Sequence, residues 1–304
     1  MTQGIIGRTL PAHSGASQEI RMQMSTPTEE RIRSAGDVEI NVRIFPPAGP
    51  ARAAVVICHG VNSHGGQYLW SAGQLASAGL APFALDLRGR GKSGGPRYYV
   101  DDVAQYVADV AAAIGLAKSR HPGIPVFLIG HSAGGVVSST YALDHASGIA
   151  GLVCESFAFK VPAPDAVLAL IKGLSRIAPR LPVLKLRNED FSRDPVAVGA
   201  LNSDPLTAGE VQPARTVAAL VRANERLRRE FPRITLPLFI LHGTADKATL
   251  PAGSQFFFDT AGSKDKTLKL YDGHFHDLLN DVGKDAVLAD IRGWIDARIT
   301  PPSR

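Results

Sequence analysis

Apolar residues along the chain fall into short, nearly unbroken runs separated by amphipathic stretches. Ala53-Ala54-Val55-Val56-Ile57-Cys58, Ala81 to Leu87, Pro125-Val126-Phe127-Leu128-Ile129, Gly151 to Cys154 and Leu238-Phe239-Ile240-Leu241 have strand length and little polar alternation. Runs of that kind predict strands buried on both faces. Between them the spacing becomes helical. A helix is predicted from about Tyr68 to Ala78, and another from Asp101 to Ser119. In the second, Val103, Tyr106, Val107, Val110, Ile114 and Ala117 share one face. Ahead of these, Glu29 to Ser34 and Val38 to Phe45 flank the turn Ala35-Gly36-Asp37 and predict a β-hairpin. After Leu241 come a helix (Ala252 to Asp259), a strand (Thr267 to Tyr271) and a last helix (Lys284 to Ile299). Strands alternating with helices give an α/β class with a mostly parallel sheet covered on both sides.

One region departs from this rhythm. From about Phe157 to Pro232 there is no strand signal, prolines are frequent, and the segments are amphipathic helices. Val167, Leu168, Leu170, Ile171, Leu174 and Ile177 form one apolar face, with Lys172, Arg176, Arg180, Lys185 and Arg187 nearby. Val217 to Arg229 make the last helix of this stretch. The expected organisation is a loose arm over residues 1–28, a core made of 29–156 and 233–304, and a helical cap inserted as 157–232.

Composition narrows the class. A chain of 304 residues with 45% apolar content can bury a large core. The formal charge of +5 carries no dense Lys/Arg run, so a nucleic-acid partner is not expected. Cys58 and Cys154 are the only cysteines, both in predicted strands, and read as free thiols. No apolar leader opens the sequence and no stretch is long enough to span a bilayer. A cytoplasmic protein is expected, with peripheral membrane contact left open and no basis for an oligomeric state.

The chemistry begins at Gly130-His131-Ser132-Ala133-Gly134. A buried run precedes it and a helical one follows. Strand, sharp turn and helix are the setting of a nucleophile elbow, with Ser132 exposed at the end of the sheet. A serine needs a base and an orienting acid. Of nine histidines, only His274 and His276 follow the last strand, and their position alone does not choose between them. The acid candidates are Asp246, Asp272 and Asp277; Asp246, after a strand and Gly243-Thr244-Ala245, is best placed. The order Ser132, Asp246, His276 is that of α/β-hydrolases. Backbone N–H groups of Ala133 and of Val61, in the loop His59-Gly60-Val61, would form the oxyanion hole. The glycine-rich Asp86-Leu87-Arg88-Gly89-Arg90-Gly91-Lys92-Ser93-Gly94 mimics two nucleotide motifs. Gly95-Pro96 stands where a dinucleotide fingerprint must open a helix, and Asp86 stands where a P-loop needs its first glycine. It is a turn near the site's rim.

Taken together, several segments resemble the monoacylglycerol lipase/lysophospholipase branch of the α/β-hydrolase fold. They are His59-Gly60-x-x-x-His64-x-x-x-Tyr68, Asp86-x-Arg88-Gly89-x-Gly91-x-Ser93, Gly130-His131-Ser132-Ala133-Gly134-Gly135, Asn202-Ser203-Asp204-Pro205-Leu206, Gly243-Thr244-Ala245-Asp246 and Thr267-Leu268-Lys269-Leu270-Tyr271-Asp272-Gly273-x-x-His276. The likeness runs from about Glu29 to Arg298. It implies Ser132 as nucleophile, Asp246 as orienter, His276 rather than His274 as base, and Val61 and Ala133 as oxyanion donors. The chain departs from the branch at Ala133, where Met is common, and at Gln67, where Arg is common. Val61-Asn62-Ser63 replaces a smaller, glycine-containing run, and the cap shares little beyond Asn202 to Leu206.

The function expected is hydrolysis of a lipid-like or small carboxylic ester through an acyl-enzyme, without metal or organic cofactor. No His-Glu-x-x-His or Cys-x-x-Cys pattern is present. Short-chain carboxylesterase, lysophospholipase, lactonase and cofactor-free perhydrolase are alternatives within the fold. A catalytically dead binding module would need a missing triad member, and all three are in place.

Overall fold

The computed structural model describes residues 26–299. The first 25 residues of the expected arm lie outside the described residues, and Thr28 already belongs to a strand. The hairpin forms as β1 (Thr28–Ser34) and β2 (Val38–Ile44), antiparallel with Ser34 opposite Val38. There follow β3 (Ala54–Cys58), α1 (Leu69–Ser77), β4 (Ala81–Leu85), α2 (Val103–Arg120), β5 (Val126–His131), α3 (Ala133–Asp144) and β6 (Gly151–Glu155). The chain then leaves the sheet through α4 (Asp165–Leu174), β7 (Pro182–Leu184), α5 (Pro195–Ser203), β8 (Gln212–Pro213) and α6 (Ala214–Glu230). It returns with β9 (Leu238–Gly243), α7 (Pro251–Thr260), β10 (Lys266–Tyr271) and α8 (Lys284–Asp296).

The eight-stranded sheet has the order β1-β2-β4-β3-β5-β6-β9-β10, antiparallel at the hairpin and parallel from β4 onward. Its two faces are separate apolar layers, because successive side chains of a strand point to opposite sides. Val56, Leu128, Leu152 and Ile240 pack with α2, α3, α6 and α7. Val55, Phe127, Val153 and Phe239 pack with α1 and α8. A sheet covered on both sides has buried central strands, which is why β3, β5, β6 and β9 read as unbroken apolar runs. Cys58 and Cys154 are buried free thiols on two of these strands, pushed up to about 12 chiefly by burial.

The helix α2 begins where the sequence offers a cap. Asp102 accepts from the Ala104 N–H at 2.9 Å, while Gln105 Oε1 accepts from the backbone of Asp101 and Asp102, a reciprocal capping box. One expectation fails in the excursion. Residues 157–232 do contain strand: β7 and β8 pair antiparallel. They are too short to carry a period, and β7 is mostly exposed, so no apolar run marks it.

The glycine-rich turn after β4 is a brace. Asp86 is buried, accepts from the Gly65 and Lys92 N–H groups at 2.7 and 2.9 Å, and pairs with Arg43 at 2.6 Å. It thereby ties the loop after β3 to the sheet. His59 in that loop accepts from the Leu87 N–H at 3.0 Å through Nε2 and donates through Nδ1 to the Gly60 carbonyl at 2.7 Å. Burial lowers its pKa to about 3, so it is a neutral structural link. Among the described residues no helix is long and apolar enough to cross a membrane.

Candidate active site

The site is built at the carboxyl end of β5. Ser132 follows the strand and caps α3 with φ +55° and ψ −120°. A side chain at positive φ is strained and persists only where neighbours fix it. Here the Ser132 N–H donates to the Glu155 carbonyl at 2.9 Å, and its own carbonyl accepts from Gly135 at 3.0 Å. The flanking glycines are required by close approach. A Cβ on Gly134 would lie 2.2 Å from the Cys58 carbonyl oxygen, and one on Gly130 would lie 2.6 Å from that of Gly134.

Asp246 and His276 meet from two other strand ends. His276 Nδ1 is 2.8 Å from Asp246 Oδ2, and His276 is fully buried. The second aspartate oxygen accepts from the Ala248 and Thr249 N–H groups at 2.8 and 2.9 Å. Burial alone would raise the Asp246 pKa. The His276 charge and hydrogen bonds from His242 and His276 outweigh burial and hold the carboxyl well below the usual range. A carboxylate at Nδ1 fixes the proton there and leaves Nε2 as the basic nitrogen. His276 Nε2 makes no hydrogen bond among the described residues, to Ser132 or any other group. The ring is held edge-to-face by Phe191, with centroids 5.0 Å apart, and lies against His131 at 4.9 Å.

The alternatives from the sequence separate cleanly. His274 turns toward Asp281, with Nδ1 3.8 Å from its carboxylate, and does not reach Asp246. Asp272 accepts from Thr244 Oγ1 at 3.1 Å on an exposed edge. Asp277 is more than a turn cap. It accepts from Asn280 Nδ2 at 2.9 Å, but it is buried and faces Glu155.

Val61, Ser132 and Ala133 line one cavity of about 1080 Å³. Its wall is largely apolar and includes Phe159, Leu168, Ile171, Val183, Val217 and Leu220. Three of these, Leu168, Ile171 and Val183, come from α4 and β7.

Sequence reasoning missed two neighbours. His242 Nε2 lies 3.1 Å from Asp246 Oδ2, while its Nδ1 is 2.7 Å from Ser254 Oγ, so it helps fix the aspartate. The second is a buried cluster behind His276. His131, Glu155 and Asp277 bring their polar atoms within 4.8 Å of one another. His131 Nδ1 is 3.0 Å from the Tyr68 hydroxyl, and Glu155 accepts from the Leu279 N–H at 3.1 Å. Burial raises the pKa of both acids and lowers that of His131. Glu155 Oε2 and Asp277 Oδ1 have no hydrogen-bond partner among the described residues, an environment that disfavours charge on both acids at once. Nothing in the sequence flagged it, because its members lie on separate strands and loops.

A serine on a strained strand-to-helix turn, on a mostly parallel sheet and beside an Asp–His pair, defines the α/β-hydrolase class. Within that class the chain belongs to the family described as serine aminopeptidase, S33, whose model matches residues 49–283. It is 34% identical over 278 residues to a monoacylglycerol lipase of Mycolicibacterium smegmatis, covering 90% of this chain and 99% of that one. It is 31% identical to the human monoglyceride lipase over 84% of this chain and 86% of that one. The crystal structure of a Paleococcus ferrophilus monoacylglycerol lipase superposes with a TM-score of 0.78 at 32% identity, over 86% of this chain and 99% of that one.

Proposed function

We propose that the protein is a serine ester hydrolase acting on monoacylglycerol-type esters of hydrophobic acyl groups. Ser132 is the nucleophile, His276 the base and Asp246 its orienter. The Val61 and Ala133 N–H groups receive the oxyanion. His276 Nε2 takes the Ser132 proton as Oγ attacks the ester carbonyl, then delivers it to the departing alcohol. Water, deprotonated by the same nitrogen, attacks the acyl-enzyme and releases the acid. The observation that carries this reading is the Asp246–His276 hydrogen bond, with Nε2 uncommitted, beside a strained serine that lines a large apolar cavity. The relatives named as monoacylglycerol lipases support the substrate class.

Residues 157–232 act as the cap in this proposal. Helix α4 divides its apolar side chains between two tasks. Val167, Leu168 and Ile171 border the cavity, where an acyl chain would lie. Leu170 and, just beyond the helix, Ile177 are 68% and 86% exposed, near Lys172 and Arg176. Apolar side chains beside cations suit peripheral contact with a lipid surface that presents the substrate.

The test is labelling and turnover. A fluorophosphonate should label Ser132, and a substrate panel should rank 1-monoacylglycerols above lysolipids, short aryl esters, lactones and aminoacyl anilides. Best turnover of an aminoacyl anilide would replace this reading with a peptidase one. Absence of Ser132 labelling would remove it.

A further inference from the structure

The loop after β3 contains a second residue at positive φ. Asn62, directly after Val61, has φ +57°. Asparagine reaches this region at lower cost than most residues, so the conformation is accessible without being enforced by the residue itself. Two bonds select it, and both come from the excursion between β6 and β9. The Asn62 N–H donates to Glu210 Oε1 at 2.7 Å. Its side-chain Nδ2 donates to Asn188 Oδ1 at 2.7 Å. Asn188 is held in turn, donating its own Nδ2 to Asn202 Oδ1 at 2.8 Å.

Glu210 is built to stay where it is. It is 4% exposed and forms an ion pair with Arg90, which is 1% exposed. Burial works against the Arg90 charge, and Glu210 more than compensates, so the guanidinium stays charged. Arg90 Nη2 also donates to Gln212 Oε1 at 2.7 Å, tying the carboxylate's neighbour to the same guanidinium. A buried carboxylate braced by arginine is a costly way to hold a loop. Its one backbone contact in the loop after β3 is the N–H that follows Val61. The Val61 N–H belongs to the peptide before Val61, whose Gly60 carbonyl His59 holds at 2.7 Å. Glu210 anchors the peptide after it, so the two bonds together fix Val61 from both sides and with it the direction of its N–H.

We propose that Glu210, with Arg90 behind it and Asn188 beside it, is a positioning residue that aims the Val61 N–H into the oxyanion hole. The excursion thereby controls the transition-state site as well as the acyl pocket. With both bonds to Asn62 made, the second oxyanion donor is in register; without them only the His59–Gly60 bond holds it. This rests on the role given to Val61 above.

The experiment uses the full chain and a soluble short ester, p-nitrophenyl butyrate. Glu210→Gln keeps an acceptor oxygen but loses the charge that fixes it. It should lower kcat by about tenfold or more, up to the roughly hundredfold or more that outright loss of an oxyanion donor costs, and move KM less than about threefold. Asn188→Ala leaves the buried pair intact and should give a smaller kcat loss of the same kind. The discriminating readout is inhibition. A boronic acid, whose adduct with Ser132 is tetrahedral and anionic, should bind Glu210→Gln weaker by about the factor lost in kcat/KM. A long-chain alcohol that only fills the cavity should bind both forms alike. If Glu210→Gln fails to fold, Arg90→Met with Glu210→Met removes both buried charges, and the same two inhibitors decide. Unchanged kcat and boronate affinity in folded variants would overturn the proposal. So would equal loss of boronate and alcohol affinity, which marks a collapsed pocket. If the wild-type protein neither labels at Ser132 nor hydrolyses the ester, the failure lies in the functional reading instead.

Discussion

Helices α3 and α4 are both rich in apolar residues, yet α3 buries all but its last residue while α4 buries none. The first lies against the sheet behind Ser132, where every side chain meets another. The second borders a cavity on one side and open space on the other. Similar composition therefore does different work. In α3 the buried apolar side chains hold one strained turn in place. In α4 they form a surface on which something else is laid. In the proposed function the packed region holds the chemistry and the unpacked one selects the substrate, so substitutions in the two should fail differently.

The largest effects belong to the packed side. Ser132→Ala should lower turnover by about 10⁴-fold or more without changing the melting temperature appreciably, because a methyl replaces a hydroxyl that contributes no packing. His276→Ala should match it, and the double variant should be no worse than either, since the two act as a unit. Asp246→Asn should be severe through the wrong imidazole tautomer. His274→Ala should cost little, as its ring faces Asp281. Gly134→Ala should differ in kind: a Cβ 2.2 Å from the Cys58 carbonyl oxygen displaces α3 from the sheet, and the fold itself should suffer, as thermal denaturation would record. A normal melting temperature for Gly134→Ala would mean that the elbow tolerates movement its contacts deny.

The unpacked side predicts selectivity. Leu168 borders the cavity and Leu170 does not. Leu168→Asp should raise KM for long acyl chains by roughly tenfold, the scale of one to two buried methylenes or more, and spare an acetate ester. Leu170→Asp should leave soluble substrates untouched and weaken sedimentation with anionic vesicles. Equal losses for all chain lengths in both variants, with a lower melting temperature, would make α4 ordinary core after all.

The same contrast explains what the sequence disclosed. Buried central strands and the elbow glycines were legible, because full burial imposes unbroken apolar runs and close approach imposes glycine. The choice of His276 over His274 was not legible from the residues, since both follow β10; it came from resemblance, and it is His276 that lies at Asp246 while His274 faces Asp281. The strands β7 and β8 escaped notice because such short pairs carry no period. Glu155 and Glu210 escaped for another reason, and Asp277, named as a candidate acid, was not read as buried. A buried acid is disguised in sequence as a surface one, and only its distant partners, His131 or Arg90, mark it as buried.

The smallest predicted effect concerns the two buried acids behind His276, and its sign sharpens the view of the packed region. Glu155 and Asp277 are both raised above ordinary carboxylates, mainly by burial. Unfolded, they would titrate near pH 4. The folded state therefore binds a proton more tightly than the unfolded one, so the pair's contribution is greatest in acid. It declines as pH rises above about 4 and through the folded pKa, the reverse of a salt-bridged carboxylate. Asp246, held low by its histidines, runs the other way and loses its stabilisation progressively as pH falls below about 4. Glu155→Gln keeps an amide donor for Asp277 and removes the ionisation. Between pH 5 and 9 its melting temperature should fall less than that of the wild-type protein, with a gap of a few degrees opening toward the alkaline end, since each kcal/mol is worth about 2 °C or slightly more in a chain of this size. Parallel melting curves for the two proteins across that range would show that Glu155 carries its charge at neutral pH, and that the cluster behind the active histidine is ionised rather than protonated.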